Sequence, residues 1–243
     1  MPTPKKLDYT PLRVLAVGAH PDDIDVVAGG TLAQWAKTGA EVEYLITTDG
    51  SKGSADTSTK PKELVALRKK EQMAAARTLG VKRVHFLSYK DGTLEVTMAL
   101  KKDIERVIRQ VRPDTVVLMD PTMVYSEESG YVNHPDHRAT GQATLDAIFP
   151  LARDCLTFPE LRSKEKLEPH KVAHALLINF DKRNCLIDIS ETLDLKLAAL
   201  KCHASQFTEN NTVEDWVQSS AKTLGDQAKC KYAEGFVRID LPE

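Results

Sequence analysis

Short, almost continuously apolar segments alternate with stretches of helical periodicity over the first 150 residues. The apolar segments predict buried strands at 13–19, 41–48, 84–87 and 115–119. The stretches between them predict helices at 28–37, 61–79 and 98–111. Pro61 suits a first helical turn and Gly80 a helix end. Because strands that lack polar alternation are buried on both faces, we predict an α/β fold with a mostly parallel sheet and helices on both faces.

The C-terminal part of the chain has a less regular pattern. Residues 171–180 and 184–189 predict two strands around a turn at 181–183, and 236–239 predict a last strand. Ser190 is positioned to cap a helix that continues to about His203. We therefore predict one domain over 1–243, with a core at 12–150. The extension at 151–243 is expected to complete the sheet and the rim of a site.

Three connecting segments are long for such a fold, namely 49–60, 88–96 and 120–133. Long loops in a compact domain are usually functional or disordered. Ligands of open parallel sheets bind beyond the carboxyl ends of the strands. The first and third segments directly follow strands, so we expect them at that edge. Segment 49–60 contains Gly50 and Gly53 and is expected to form a lid or rim there.

Composition and charge narrow the class of protein. The formal net charge of −2 gives no electrostatic reason to expect nucleic acid or an anionic membrane surface as a partner. No segment approaches the ~20 apolar residues of a membrane span, and the N-terminus lacks the features of a signal peptide. The four cysteines are widely spaced without a C-x-x-C motif, which favours free thiols in a reducing cytoplasm.

Two clusters of imidazoles and carboxylates follow predicted strands at the same edge of the sheet. The sequence HPDD occupies 20–23, after the first strand, and HPDH occupies 134–137, after the fourth strand's loop and at the start of a helix over 136–149. Each cluster alone is also good turn chemistry. Two such clusters on one edge are difficult to explain as unrelated turns, and their side chains are ligands that suit zinc.

The number of these groups also fits hydrolytic chemistry. A catalytic zinc needs three protein ligands and an open position for water. Two neutral imidazoles and one carboxylate would leave the centre with a net charge of about +1, which still polarises water. A remaining carboxylate can take the proton of that water, and a remaining imidazole can protonate a leaving group. An amide hydrolase requires this division of roles.

Five motifs together carry a resemblance to a known family. They are HPDD with Gly29-Gly30 downstream, TDG at 48–50, Arg68-x-x-Glu71, HPDH, and HASQ at 203–206. In this order they resemble the GlcNAc-phosphatidylinositol de-N-acetylase superfamily, also called PIG-L or LmbE-like. The resemblance implies a Rossmann-like fold and zinc-dependent removal of acetyl from an N-acetylated sugar or small amine conjugate. Members are commonly oligomeric, so a homo-oligomer is compatible with it.

The resemblance assigns roles to individual residues. It implies one zinc ion per chain, or another divalent ion, held by His20, Asp23 and His137. It implies that Asp22 is the general base. His134 would stabilise or protonate the tetrahedral intermediate, and Asp136 would orient His134.

Three further residues are candidates for substrate binding. Arg68 matches a substrate-contacting arginine of the family; with Glu71 it could otherwise form a surface ion pair, or Glu71 could hold it in place. Tyr131 precedes His134 and either binds a substrate oxygen or packs to order its loop. His203 follows an amphipathic helix and is either a packed side chain or a substrate contact, the latter within one chain or across a subunit interface.

Other functions remain compatible with the residues alone. The same site could hydrate an activated C=C bond of an unsaturated carboxylic acid, as some relatives in the superfamily do. Two histidines and one carboxylate also describe a non-haem iron oxygenase, although that triad normally lies on a β-barrel. A non-enzymatic metal-binding or sugar-binding module is a further alternative. A nicotinamide cofactor is not expected, because no G-x-G-x-x-G follows the first strand.

Overall fold

The computed structural model describes residues 4–127, 130–207 and 213–242, which form an eight-stranded sheet with helices on both faces. The strands are β1 (Lys5–Lys6), β2 (Arg13–Gly18), β3 (Glu41–Thr48), β4 (Arg83–Tyr89), β5 (Thr115–Met119), β6 (His174–Ile178), β7 (Cys185–Asp188) and β8 (Ala233–Asp240). The helices are α1 (Asp23–Lys37), α2 (Pro61–Thr78), α3 (Met98–Val111), α4 (Pro135–Ile148), α5 (Pro159–Ser163), α6 (Leu193–Leu200) and α7 (Val213–Ala228). Within the described ranges, none of these helices combines the length and apolar character needed to cross a bilayer.

The strand order of the sheet is β1-β7-β8-β6-β5-β2-β3-β4. Strands β6, β5, β2, β3 and β4 are mutually parallel, whereas β8 is antiparallel to both β6 and β7. From β2 the chain first adds β3 and β4 on one side, and later adds β5 on the other. The order therefore reverses between β2 and β5, the position at which doubly wound sheets bind ligands. The predicted Rossmann-like α/β architecture is confirmed.

Strand β2 shows why the sheet is covered on both faces. Val14 and Ala16 pack into the core beneath α1 and α2, and Leu15 and Val17 pack into the core beneath α3 and α4. All four side chains are fully buried. A central parallel strand therefore has apolar residues at consecutive positions, which is the pattern seen in the sequence.

Helix α1 begins at Asp23 rather than at residue 28, where the sequence pattern predicted it. The HPDD sequence suggested a turn, but its last residue lies inside the first helical turn, together with Asp25. Carboxylates are favourable there because the N-terminus of a helix carries a partial positive charge. The first candidate cluster therefore lies at a strand-to-helix junction.

The C-terminal part differs from its predicted pairing. Residues 171–180 and 184–189 do contain β6 and β7, but these strands do not pair with each other, because β8 lies between them. Ser190 does not cap a helix; its hydroxyl contacts Asp188, and α6 begins after Thr192 and ends at Leu200. Helix α7 was not predicted. The local pattern identified strands but carries no information about a partner that arrives much later in the chain.

A buried ion pair joins this C-terminal part to α1. Glu234, on β8, accepts hydrogen bonds from the backbone N–H groups of Gly30 and Thr31 at 3.0 and 2.8 Å. Its charged partner is Lys196, whose Nζ lies 2.6 Å from the carboxylate. Both charged side chains are buried. The helix that carries Asp23 is thereby fixed against the last strand of the sheet.

Gly141 allows a close approach of α4 to the end of β5. A Cβ atom at this position would overlap the carbonyl oxygen of Met119. We expect Gly141→Ala to lower the free energy of unfolding by about 1–3 kcal/mol, despite the higher helix propensity of alanine. Chemical denaturation measures this, with Gln142→Ala on the exposed face of α4 as the control, expected within about 0.5 kcal/mol of wild type. A Gly141→Ala protein as stable as wild type would contradict this packing.

Candidate active site

The two candidate clusters meet at the carboxyl ends of β2 and β5. The ring centroids of His20 and His134 are 4.8 Å apart, and those of His20 and His137 are 5.3 Å apart. His134 and His137 are separated by 5.4 Å. Strands β2 and β5 are hydrogen-bonded neighbours, so the segments that follow them reach the same point. The structure thus brings together residues more than a hundred positions apart in sequence.

Asp23 lies between two of these imidazoles. Its Oδ1 is 3.1 Å from Nε2 of His137, and its Oδ2 is 3.4 Å from Nδ1 of His20. Oδ2 also accepts hydrogen bonds from the backbone N–H groups of Ala19 and His20 at 3.0 and 2.7 Å. The carboxylate is therefore fixed by the end of β2 while it faces both rings. The three residues expected to bind metal are adjacent.

In His20 and His137, the ring nitrogen that points away from Asp23, here called the outer nitrogen, faces an oxygen acceptor. Nε2 of His20 is 3.3 Å from Oδ2 of Asp136 and 3.2 Å from Oδ1 of Asp91. Nδ1 of His137 is 3.1 Å from the side-chain oxygen of Asn133. From these contacts we assign one ring proton to each outer nitrogen, so the inner nitrogen, which faces Asp23, is the atom that a cation would bind in place of a proton. This is how ligating histidines are held in zinc centres, so the donor set fits a divalent cation.

Asp136 contacts two of the imidazoles, His20 through its carboxylate and His134 through its backbone N–H. Its carboxylate is fully buried and accepts hydrogen bonds from the backbone N–H groups of Gly92 and Leu94 at 2.6 and 3.2 Å. Only its backbone N–H reaches Nδ1 of His134, at 3.1 Å. We predicted that Asp136 orients His134; its backbone N–H contacts that ring, and its carboxylate contacts His20 instead. The reason is that the side chain, in the first turn of α4, points toward the loop after β4.

The charges of this cluster are strongly coupled. Burial alone would lower the pKa of His20, but the charge of Asp23 and hydrogen bonds to Asp136, Asp23 and Asp91 raise it to about 12. Burial likewise opposes ionisation of Asp23, yet His137 and His20 hold its pKa well below the usual value. Three carboxylates thus surround one buried imidazole. Such an excess of negative charge attracts a cation.

His134 is a neutral hydrogen-bond donor in this environment. It precedes α4, and its Nδ1 accepts the Asp136 backbone N–H, so we assign its ring proton to Nε2. Burial, together with His20 and His137, lowers the pKa of His134 below its ordinary value. A second ring proton would place two donors against each other at Nδ1. The ring is therefore suited to offering an N–H to a developing negative charge.

Asp22 is held in a strained backbone conformation beside the expected metal ligand Asp23. Its φ of 107° lies in the left-handed region that residues other than glycine rarely adopt. Its backbone N–H donates to Oε1 of Gln72 at 2.9 Å, and its Oδ2 accepts from Arg68 at 3.2 Å. Burial and the neighbouring Asp23 raise the pKa of Asp22 to about 7, with Arg68 opposing the shift. The carboxyl group is therefore set for proton transfer near neutral pH.

Arg68 lies behind Asp22 and is only 3% exposed. Besides the Asp22 carboxylate, its guanidinium donates to the carbonyl oxygens of Pro21 at 2.7 Å and Gly50 at 3.0 Å. Glu71 instead accepts hydrogen bonds from the backbone N–H and hydroxyl of Ser205 at 2.9 and 2.6 Å. The contacts of Arg68 therefore hold the HPDD segment and the start of segment 49–60 in place.

His203 lies behind the cluster, against Asp25 of α1. It is fully buried, and its Nε2 lies 2.8 Å from Oδ2 of Asp25. The same carboxylate oxygen accepts from Nε2 of Gln72, also at 2.8 Å, and Gln72 contacts Asp22. His203 is thus linked to Asp22 through Asp25 and Gln72. Tyr131, in contrast, lines the same open cavity as Asp22.

Segment 49–60 lies at the same edge of the sheet as His20. The backbone N–H of Lys52 donates to Asp91 at 2.8 Å, and the carbonyl oxygen of Gly53 accepts from Gln206 at 2.9 Å. Its expected position at the rim of the site is confirmed. The loop after β4, which was not expected at this edge, contributes Asp91 as well.

Three residues of the site were not identified from the sequence, namely Asp25, Gln72 and Asp91. Gln72 follows Arg68 by four positions on α2, a spacing that places both side chains on one helix face. Asp25 is in the first turn of α1, whose start was predicted too late. Asp91 follows β4, so the rule that ligands lie beyond parallel strand ends would have included it.

Loss of either proposed metal-binding imidazole should release the ion. We expect about one tightly bound divalent ion per wild-type chain after dialysis, and far less in His20→Ala or His137→Ala. Elemental analysis measures this. His85→Ala is the matched control, because His85 is a partly buried histidine on β4 that contacts Glu43 outside the cluster. Wild-type ion content in both site variants would show that the ligands are assigned wrongly.

Comparison with known proteins agrees with this arrangement. A family model described as PIG-L, GlcNAc-PI de-N-acetylase, matches residues 15–148. The chain is 33% identical to diacetylchitobiose deacetylase of Thermococcus kodakarensis over 92% of its own length and 82% of that protein. It is 31% identical to a probable N-acetyl-alpha-D-glucosaminyl L-malate deacetylase 2 of Bacillus anthracis, over 82% of this chain and 84% of that one.

A solved structure is similar over nearly the whole chain. It is N,N'-diacetylchitobiose deacetylase from Pyrococcus horikoshii in complex with its inhibitor MPG, with a TM-score of 0.86 and 32% identity. The match covers 95% of this chain and 84% of that one. The family model includes both histidine clusters, and the similarity continues through the C-terminal strands. The chain therefore belongs to the GlcNAc-phosphatidylinositol de-N-acetylase (PIG-L) family of LmbE-like deacetylases.

Proposed function

We propose that this protein is a zinc-dependent hydrolase that removes the acetyl group from an N-acetylated sugar or small amine conjugate. One observation carries the proposal: Asp23 lies between His20 and His137, while Asp22 beside it faces the same cavity. The proposed metal ligand Asp23 and the proposed base Asp22 are thus adjacent in sequence, but Asp23 contacts two imidazoles and Asp22 contacts Arg68. The relatives named as deacetylases of N-acetylated sugars support the substrate class.

The chain's own residues divide the work of hydrolysis. Zinc held by His20, Asp23 and His137 would act as a Lewis acid and lower the pKa of water. Asp22, with a pKa raised to about 7, accepts the proton of the attacking water. The contacts of Asp22 to Gln72 and Arg68 maintain its strained backbone conformation and hold the carboxylate in the orientation this transfer needs.

His134 stabilises negative charge on the acetyl oxygen. Its Nε2–H is the free donor of the ring, because Nδ1 is occupied by the backbone N–H of Asp136. Since this contact disfavours a doubly protonated ring, we propose that the departing amine receives its proton from Asp22 rather than from His134. One carboxyl group then serves first as base and afterwards as acid.

The alternatives differ in products and in the residues they require. A hydratase would add water to a C=C bond and release neither acetate nor amine. An iron oxygenase would consume oxygen and contain iron. A binding module would need neither Asp22 nor His134. Release of acetate and a primary amine by zinc-loaded protein separates the first two from deacetylation, and the variants below address the third.

We further propose that residues 1–243 act as one catalytic unit in the cytoplasm. Glu234 on the last strand and Lys196 on α6 hold α1, the helix that begins at Asp23. The four cysteines are free thiols, which suits a reducing compartment. A homo-oligomer is compatible with this proposal.

Substitutions at the two adjacent aspartates should separate proton transfer from metal binding. Asp22→Asn keeps the shape of the side chain but removes the basic carboxylate, so we expect wild-type zinc content and a kcat lower by ~10²–10⁴. Asp23→Asn should lose zinc, and added metal should restore part of the activity. Deacetylation kinetics and zinc content are measured on the same preparations.

His134→Ala provides the third member of this set. It should retain zinc and lose kcat, because its ring serves the transition state and not the ion. The reverse pattern at Asp22 and Asp23 would exchange their roles. Unchanged turnover in both Asp22→Asn and His134→Ala would exclude the proposed mechanism.

Gln72 should affect turnover through Asp22. Gln72→Met removes the acceptor for the Asp22 N–H while preserving side-chain length, so we expect kcat to fall about tenfold or more with little change in KM or zinc content. Met73→Ala, at the exposed neighbouring position of α2, is the control. Equal losses in kcat, zinc content and thermal stability would indicate a general packing defect instead.

A further inference from the structure

A large cavity extends from the proposed metal site toward α7. Its volume is about 950 Å³, at the upper end of the range of about 300–1,000 Å³ found for small-molecule sites. Asp22, Asp23 and His137 line it, and so does Trp216 on α7. The mechanism uses only the carboxylates and imidazoles. The remaining lining has no role in bond cleavage and is available to contact a part of the substrate away from the acetyl group.

Three aromatic rings form a continuous surface in this cavity. The rings of Tyr131 and Phe180 are 5.2 Å apart at 67°, and those of Phe180 and Trp216 are 5.9 Å apart at 76°. Each ring thus packs edge to face against the next, which fixes its orientation. Trp216 remains 46% exposed although tryptophan is on average among the well-buried residues. An exposed, oriented indole in a cavity wall is available for stacking against a ligand.

Polar groups surround this aromatic surface. Ser126, Asp181 and Ser220 line the same cavity, and the Ser126 hydroxyl donates to Asp181 at 2.6 Å. Sugar rings have an apolar C–H face and a periphery of hydroxyl groups. Flat aromatic side chains beside serine and carboxylate oxygens match both features. The pattern therefore fits a pyranose ring better than an acyl chain.

The charges of the cavity argue against an anionic ligand group. Among the described residues that line it, Asp22, Asp23 and Asp181 are acidic, and Arg183 is the one lysine or arginine. The guanidinium of Arg183 donates to the carbonyl oxygen of Phe180. A dicarboxylic acid at this position would need several cationic partners to offset the loss of its hydration. A neutral group is accommodated without that cost.

We propose that Tyr131, Phe180 and Trp216 form a subsite for a second, neutral sugar ring, so that the substrate is at least a disaccharide bearing an N-acetyl group. This inference rests on the deacetylase function proposed above. The acetylated ring lies at the zinc-binding end, and the second ring stacks on the aromatic surface. Trp216 then determines substrate preference without contacting the reacting atoms.

The test compares three probes with zinc-loaded protein: N-acetylglucosamine, N,N'-diacetylchitobiose, and N-acetylglucosamine glycosidically linked to malate. We expect kcat/KM to be at least tenfold higher for the neutral disaccharide than for either other probe. Trp216→Ala should reduce the preference for disaccharide over monosaccharide about tenfold, mainly through KM. Trp216→Phe should keep most of the preference. Leu156→Ala, an exposed apolar residue outside the cavity, should keep all of it.

The outcomes distinguish the subsite from the proposed function. Equal kcat/KM for mono- and disaccharide, a preference for the malate glycoside, or an equal loss on both sugars in Trp216→Ala would each overturn the subsite while leaving deacetylation intact. If no probe releases acetate, the proposed function fails, and calorimetric binding then decides the subsite. Tighter binding of the disaccharide that weakens in Trp216→Ala supports it, and equal binding of the two sugars overturns it.

Discussion

The contact of one carboxylate with two imidazoles organises this site. Asp23 faces His20 and His137, and it can do so only because β2 and β5 are neighbours at the point where the strand order reverses. Each imidazole is in turn oriented from behind, His20 by Asp136 and Asp91, and His137 by Asn133. The positions of these imidazoles therefore depend on the segments that follow β2, β4 and β5. A change of register in the sheet would separate ligands from the groups that fix their tautomers.

Backbone strain lies at the junction of β2 and α1, beside the proposed metal ligands. Asp22 adopts a positive φ directly before α1, and this conformation persists because Gln72 and Arg68 bind its backbone segment and its carboxylate. Strained residues of this kind persist where the surrounding structure over-determines them. Here the supports come from α2, while Glu234 on β8 fixes α1 from the opposite side. Contacts from α2 and β8 thus keep the Asp22 carboxylate in position.

Different charged partners give two neighbouring buried carboxyl groups different protonation behaviour. Asp22 and Asp23 are adjacent, yet the pKa of Asp22 is raised to about 7 and that of Asp23 is held well below its usual value. The difference arises because Asp23 contacts two imidazoles, whereas Asp22 has Arg68 as its close cationic partner. Two carboxyl groups with separated pKa values can divide ligand and base functions between them. His134 is distinguished in a similar way, by a backbone N–H at Nδ1.

The sequence by itself determined the α/β class, the strands of the parallel core and the two histidine clusters at one edge, because these follow from local periodicity and from short motifs. Only the tertiary structure decided that β8 inserts between β6 and β7, that Asp136 faces His20, and that Gln72 supports Asp22. It also placed the unpredicted helix α7, and with it Trp216, in the wall of the cavity. These features join residues distant in the chain, and their pairing depends on packing geometry that no local pattern encodes.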